Sequence, residues 1–233
     1  LHLDMRGAFH WALAWLGEDR PAPLRSPAPP PAAPVPSATL DLARRLWREG
    51  QPIAGSLAET YLAFRDLRLE AGLPLRFHPA CPRGAERLPA MLALMTDPGS
   101  NRPVGVHRTF LAADGRGKAA GEPKKAMAGN AGVIRLSPND EVSLGLGLAE
   151  GIETALAVMQ GFGWRPCWAA ASAGAIAGFP VLPGVEALTI FADADGPGLR
   201  AAESCAARWA AAGKEARIIQ PPRAGQDFHD LLT

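Results

Sequence analysis

Leu148-Ala149-Glu150-Gly151-Ile152-Glu153-Thr154-Ala155-Leu156-Ala157 and Thr189-Ile190-Phe191-Ala192-Asp193-Ala194-Asp195-Gly196-Pro197-Gly198 are the two stretches on which the reading of this chain turns. Each places an acid directly after an apolar run, Leu144 to Ala149 in one case and Ala187 to Ala192 in the other. Runs of that length, apolar on both faces, predict buried parallel strands. Each acid is followed by a helical pattern, Ile152 to Gln160 and Leu199 to Ala212. In an open α/β sheet, groups at the carboxyl ends of neighbouring strands converge on one crevice. Three carboxylates brought there would repel one another unless a cation lay between them. Oxygen ligands on an open crevice suit magnesium.

Asp193 and Asp195 are therefore the expected magnesium ligands, since residues i and i+2 of an extended chain point the same way. An Asx-type turn into the next helix accounts for one of them but not both. Gly196 and Gly198 permit the sharp turn, and Pro197 is tolerated in a first helical turn. Glu150 is hard to justify as structure, because burying a lone carboxylate is costly. Glu153, one turn on, reads equally as an outer partner of the site or as a surface acid.

Working outward, the pattern from Leu144 is strand 144–149, helix 152–161, strand 167–171, a short helix near 175–179, strand 187–192, helix 198–212 and strand 216–220. This alternation predicts a parallel sheet with right-handed crossovers. Upstream, Ser37 or Thr39 caps a helix to about Glu49. A second helix runs from Ser56 to about Arg65, with Ser56 and Glu59 as a capping box. Strands are expected from Leu75 to His78, Met91 to Thr96, Val104 to Ala112 and Val133 to Leu136, with turns at Asp97 to Asn101 and Asp114 to Gly117. Pro21 to Pro36 holds eight prolines in sixteen residues, which predicts an extended tether.

The ordered set of motifs resembles the Toprim domain, the magnesium-binding fold of bacterial-type primases, topoisomerases and some nucleases. Ala-Glu-Gly-Ile-Glu-Thr-Ala-Leu-Ala at Glu150, the Ser172 to Gly174 turn, Asp-Ala-Asp-Gly-Pro-Gly at Asp193, and Gln226-Asp227-Phe228-His229-Asp230-Leu231-Leu232 are most similar to the primase-like Toprim proteins of phages, plasmids and integrated elements. The resemblance implies an α/β fold: a Toprim-type parallel sheet flanked by helices, preceded by a smaller mixed α+β subdomain. It implies a helical remnant at 1–20, a Pro-rich linker at 21–37, a basic primase-core subdomain at 38–143 and a Toprim domain at 144–233. Glu150 would be the general acid/base. Asp227 would join Asp193 and Asp195 at the metal, with Asp230 as a further acid, although a helix cap at Asp227 competes. The implied activity is magnesium-dependent primer synthesis, with manganese as a substitute metal. Its partners would be single-stranded DNA, nucleoside triphosphates and a replicative helicase of a mobile genetic element. A Toprim nuclease and a catalytically silent DNA- or nucleotide-binding module are the alternatives.

Composition agrees with a chain that handles polyanions. Net charge is +1 over 233 residues, yet Arg76 to Arg135 carries ten basic residues against four acidic ones. Lys124, Lys125, Arg108 and Arg135, with backbone N–H groups at Ser172 and Gly174, are the expected nucleotide or DNA contacts. Three scattered cysteines exclude a zinc site or disulfide framework here. The resemblance implies a zinc-ribbon domain upstream of this piece, which opens on Leu1 and reads as part of something longer, so zinc is expected only there. No apolar run is long enough for a membrane span and no secretion signal opens the chain, so a cytoplasmic protein is expected. The absence of Gly-x-x-x-x-Gly-Lys-Ser/Thr excludes a P-loop motor in this piece. Tyr61, the sole tyrosine, lies too far upstream to suggest phosphotyrosine strand cleavage. An esterase reading through Ser172, Asp193 and His229 leaves Glu150 and Asp195 unexplained.

Overall fold

The computed structural model describes residues 37–223 and 226–231. The expected helical remnant at 1–20 and the tether at 21–36 lie outside the described residues. No helix among those described is long and apolar enough to cross a membrane.

The chain first builds an antiparallel sheet. Helix α1 (Ser37–Glu49) and helix α2 (Leu57–Phe64) precede β1 (Leu75–Arg83), β2 (Glu86–Thr96), β3 (Pro103–Phe110) and β4 (Lys125–Gly129), which pair in that order. The continuous apolar run in β2 follows from burial on both faces. Ala90 and Leu92 meet Leu46 of α1 in one core, while Met91, Ala93 and Met95 meet Tyr61 and Leu62 of α2 in another. At α2, Ser56 accepts from Ala58 N, but Glu59 reaches Gly55 N rather than the cap residue. The expected capping box is therefore displaced by one residue.

The second sheet is parallel, with spatial order β6 (Cys167–Ala169), β5 (Gly145–Ala149), β7 (Ala187–Phe191), β8 (Glu215–Ile219). Helix α3 (Ile152–Gly161) follows β5, α4 (Ala173–Ala177) follows β6, and α5 (Gly196–Ala211) follows β7. One face, with Leu146, Leu148, Leu188 and Ile190, packs on α5 through Ala202, Cys205 and Trp209. The other, with Ala149, Cys167 and Phe191, shares a core with α3 and with Met91 and Met95 of the antiparallel sheet. Every residue of α3 from Ile152 to Met159 is buried.

One strand was not expected and two expectations need correcting. The basic stretch at Lys125, given no element from the sequence, is the start of an edge strand, β4. Its short, small-residue sequence gives little strand signal. Residues 133–136 form no strand; Val133 bridges to Thr96 and Ile134 to Ala169, one contact with each sheet. The strand at 167 stops at Ala169, and Ala171 then takes φ +68°, a left-handed conformation that turns the chain into α4.

Candidate active site

In the parallel sheet the chain leaves β5 for β6 on one side and returns to β7 on the other. The order therefore reverses between β5 and β7, where open α/β sheets bind ligands beyond the carboxyl ends of the strands. Glu150 and Asp193 sit on that rim. Ala149 and Phe191 are direct register partners, so the two acids leave adjacent strand ends, about 5 Å apart along the sheet. Asp195 follows through a tight turn in which its N–H donates to Asp193 O at 2.8 Å. Its Oδ1 accepts from Gly198 N at 2.7 Å and caps α5. The Asx-type role thus explains Asp195 in part and leaves Asp193 unexplained by structure.

The electrostatics are those of acids crowded together. Burial raises the pKa of Glu150, and the charges of Asp193 and Asp195 raise it further. Asp193 is likewise raised by burial first and by Asp195 next. Against them stand the N–H of Ala173, which donates to Glu150, and the ammonium of Lys125, which lowers both pKa values. Thr154 Oγ1 on α3 donates to Asp193 Oδ1 at 3.5 Å. A set of mutually repelling carboxylate oxygens on an open rim suits a hard divalent cation.

The terminal acids lie nearby but are engaged. Asp227 Oδ2 pairs with Arg65 at 2.9 Å, and Asp227 and Asp230 each accept from the other's backbone N–H. This reciprocal cap opens the short 3₁₀ turn His229–Leu231. Asp227 still contributes to raising Asp193. Donor atoms of Asp227, His229 and Asp230 lie within 4.8 Å of one another.

Of the expected phosphate contacts, Lys125 is the one whose charge is felt at the acids. Lys124 is exposed and within 3.8 Å of Glu122. Arg108 donates to the carbonyls of Pro82 and Met127. Arg135 stacks over Trp168 and donates to Thr96 and to the carbonyls of Asp97 and Pro98. The structure therefore commits both guanidinium groups to holding the backbone. Ser172 caps α4 by accepting from Ala175 N, and Gly174 lies inside that short helix. The N–H next to Ser172, that of Ala173, meets Glu150 rather than standing free.

Glu153 is not a surface acid: it is only 5% exposed. Its Oε1 accepts from Tyr61 Oη at 2.6 Å and meets Lys118 Nζ at 3.1 Å, while Oε2 lies 3.7 Å from Lys125 Nζ. Burial works to raise its pKa, but the two lysines and the tyrosine hold it well below the usual carboxylate range. Reading the sequence alone does not bring Tyr61, Lys118 or Arg65 to the site. A signal existed: a helix apolar all round is buried, and a carboxylate within it must have partners. A separate cavity of about 370 Å³ opens at the opposite, amino-terminal rim, beside Gly145, Ala187 and Glu215. It is remote from the acids, and the sheet topology favours the carboxyl rim.

Residues 145–233 match a family model described as a Toprim domain, and residues 37–135 match a domain of unknown function, DUF7146. No curated protein matches the chain. Among solved structures, it is similar to a DNA primase domain from Pseudomonas aeruginosa at 16% identity and TM-score 0.55, covering 83% of this chain and 74% of that one. The zinc-binding and RNA polymerase domains of the Aquifex aeolicus primase match at 14% identity and TM-score 0.54, over 84% of this chain and 56% of that one. The RNA polymerase domain of Mycobacterium tuberculosis primase, in complex with double-stranded DNA, matches at 14% identity and TM-score 0.52, over 84% and 76%.

Proposed function

We propose that this chain, in which residues 145–233 are a Toprim domain joined to a primase-like core, is a magnesium-dependent nucleotidyltransferase that makes short primers on single-stranded DNA. The observation that carries the reading is the meeting of Glu150 and Asp193 at the switch point of a parallel sheet, with Lys125 as the nearby cation. The motif set at Glu150, Asp193 and Asp227 further supports service to a mobile genetic element.

In this reading Asp193 and Asp195 would hold the metal, with Asp227 as the further acid. The chemistry supplied by magnesium there would be positive charge for the reacting phosphate and the departing pyrophosphate. Glu150 takes the proton of the attacking 3′-hydroxyl. Lys125 offsets phosphate charge. The bond formed joins the 3′-oxygen to the α-phosphorus, and the bond broken releases pyrophosphate.

The test is primer synthesis from ribonucleotides or deoxyribonucleotides on single-stranded template. Glu150→Gln should lower turnover by a factor of about 10² or more while leaving the circular dichroism spectrum intact. Degradation of the template without added nucleotides would instead make the protein a nuclease. Binding without turnover, indifferent to chelator, would make it a binding module.

A further inference from the structure

The cluster around Glu153 has a charge surplus. Two ammonium groups, from Lys118 and Lys125, meet one carboxylate among buried surroundings. Lys125 begins β4 opposite Thr109, and Lys118 lies in the connection between β3 and β4, where it bridges Leu111. His107 does not add to that positive charge. Its ring is 3% exposed, and burial followed by Lys125 pushes its pKa down to about 4, so it is neutral. Tyr61 donates its hydroxyl to Glu153 and likewise adds no negative charge. Of the two ammonium groups, that of Lys125 lies toward the rim: its Nζ is 3.7 Å from where a Cβ on Gly151, the residue after Glu150, would stand.

We propose that Glu153 is a positioning residue: it clamps Lys118 and Tyr61 through Oε1 and Lys125 through Oε2, so that the Lys125 ammonium is fixed at the rim to meet an anionic phosphate group. This deepens the proposed function and rests on it. A lysine side chain carries much rotamer freedom, and immobilising it on a buried carboxylate before ligand arrives removes that cost from binding. Glu153 also neutralises one of the two lysines, which without it would repel across the strand. With the rim acids satisfied by a divalent cation, Lys125 would stay beside Glu153 and its charge would be available to phosphate.

Two readouts test the anchor. Lysine-labelled protein gives ammonium ¹⁵Nζ signals, with Lys125 assigned by its loss in Lys125→Met. The wild type should show a Lys125 signal protected from solvent exchange, and folded Glu153→Gln should lose that protection. Binding of inorganic tripolyphosphate in the presence of magnesium should weaken at least tenfold in Glu153→Gln, and about threefold in Tyr61→Phe. In primer synthesis the same loss should fall on KM for nucleotide, with kcat changed less than threefold. If Glu153→Gln does not fold, Tyr61→Phe decides: an unmoved Lys125 signal with unchanged tripolyphosphate affinity overturns the proposal. A Lys125 ammonium in the wild type that exchanges as fast as surface lysines overturns it directly. Protein that shows the anchored ammonium and binds tripolyphosphate but makes no primers would refute the primase reading alone. Protein that makes primers with a freely exchanging Lys125 would refute the anchor alone.

Discussion

Replacing Asp193 with asparagine should make the metal-free protein more stable, at the expense of its response to magnesium. The substitution keeps size and the acceptor for Thr154 but removes one of the charges crowded on the rim. Two like unit charges about 4 Å apart repel by about 4 kcal/mol at an effective dielectric of about 20, an upper bound for this rim. Both acids are only half-buried, salt screens them, and a neutral amide at this position would no longer attract Lys125. Discounting for these effects leaves a gain of about 1 kcal/mol. With a urea slope of about 2.5 kcal/mol per M, the midpoint should rise by about 0.4 M at pH 7 in chelator. Magnesium at about 100 times its dissociation constant should then stabilise the wild type by about 2.7 kcal/mol and Asp193→Asn by much less. An Asp193→Asn protein less stable than wild type in chelator, with an undiminished magnesium response, would show that these acids neither strain the apo fold nor share an ion.

Other outcomes follow from the same geometry. Glu150 and Asp193 bind protons more tightly when folded than unfolded, so metal-free stability should fall as pH rises from the ordinary carboxylate range through their raised pKa values. Glu153 has the opposite sign: its contribution holds above that range and is lost only under strong acid, so midpoints followed downward from neutral pH in chelator should first rise and then drop. Ala171→Gly should raise stability by about 0.5 kcal/mol, because relief of the left-handed strain outweighs the glycine's backbone entropy; thermal melting checks it. Arg65→Met removes a partly exposed ion pair at a cost of about 0.5–1 kcal/mol. It should speed amide exchange at residues 226–231 with little change elsewhere.

Much of the parallel half was legible in the sequence because its signals are local. Apolar runs ending in an acid, then Gly151 or Gly196, mark both the strand and the place where it stops. The positions of Glu150 and Asp193 on one rim follow from topology rules that need no knowledge of distant residues. What escaped is what depends on partners far away in the chain. Glu153 looks like any acid in a first helical turn, where the helix dipole would favour it. Its burial is decided by Tyr61, 92 residues earlier, and by two lysines, one in the β3–β4 connection and one on β4. Arg108 and Arg135 have the composition of phosphate contacts, but carbonyls of Pro82, Asp97 and Pro98 become accessible to them only after the chain has folded. β4 was hidden because an edge strand of small residues owes its form to pairing with β3.

The two family matches meet near residue 140, yet no seam runs there through the interior. Tyr61, Met91 and Met95 share one apolar core with Ala149, Leu156 and Phe191, and α3 is enclosed on every side by it. Cutting the chain at the apparent boundary would strip that helix of half its covering. The two halves should accordingly melt in a single cooperative step, and neither should fold when expressed alone. An acid rim assembled this way is inherited as one indivisible piece, so exchanging the first half for that of a relative would have to reproduce the whole surface on which α3 rests.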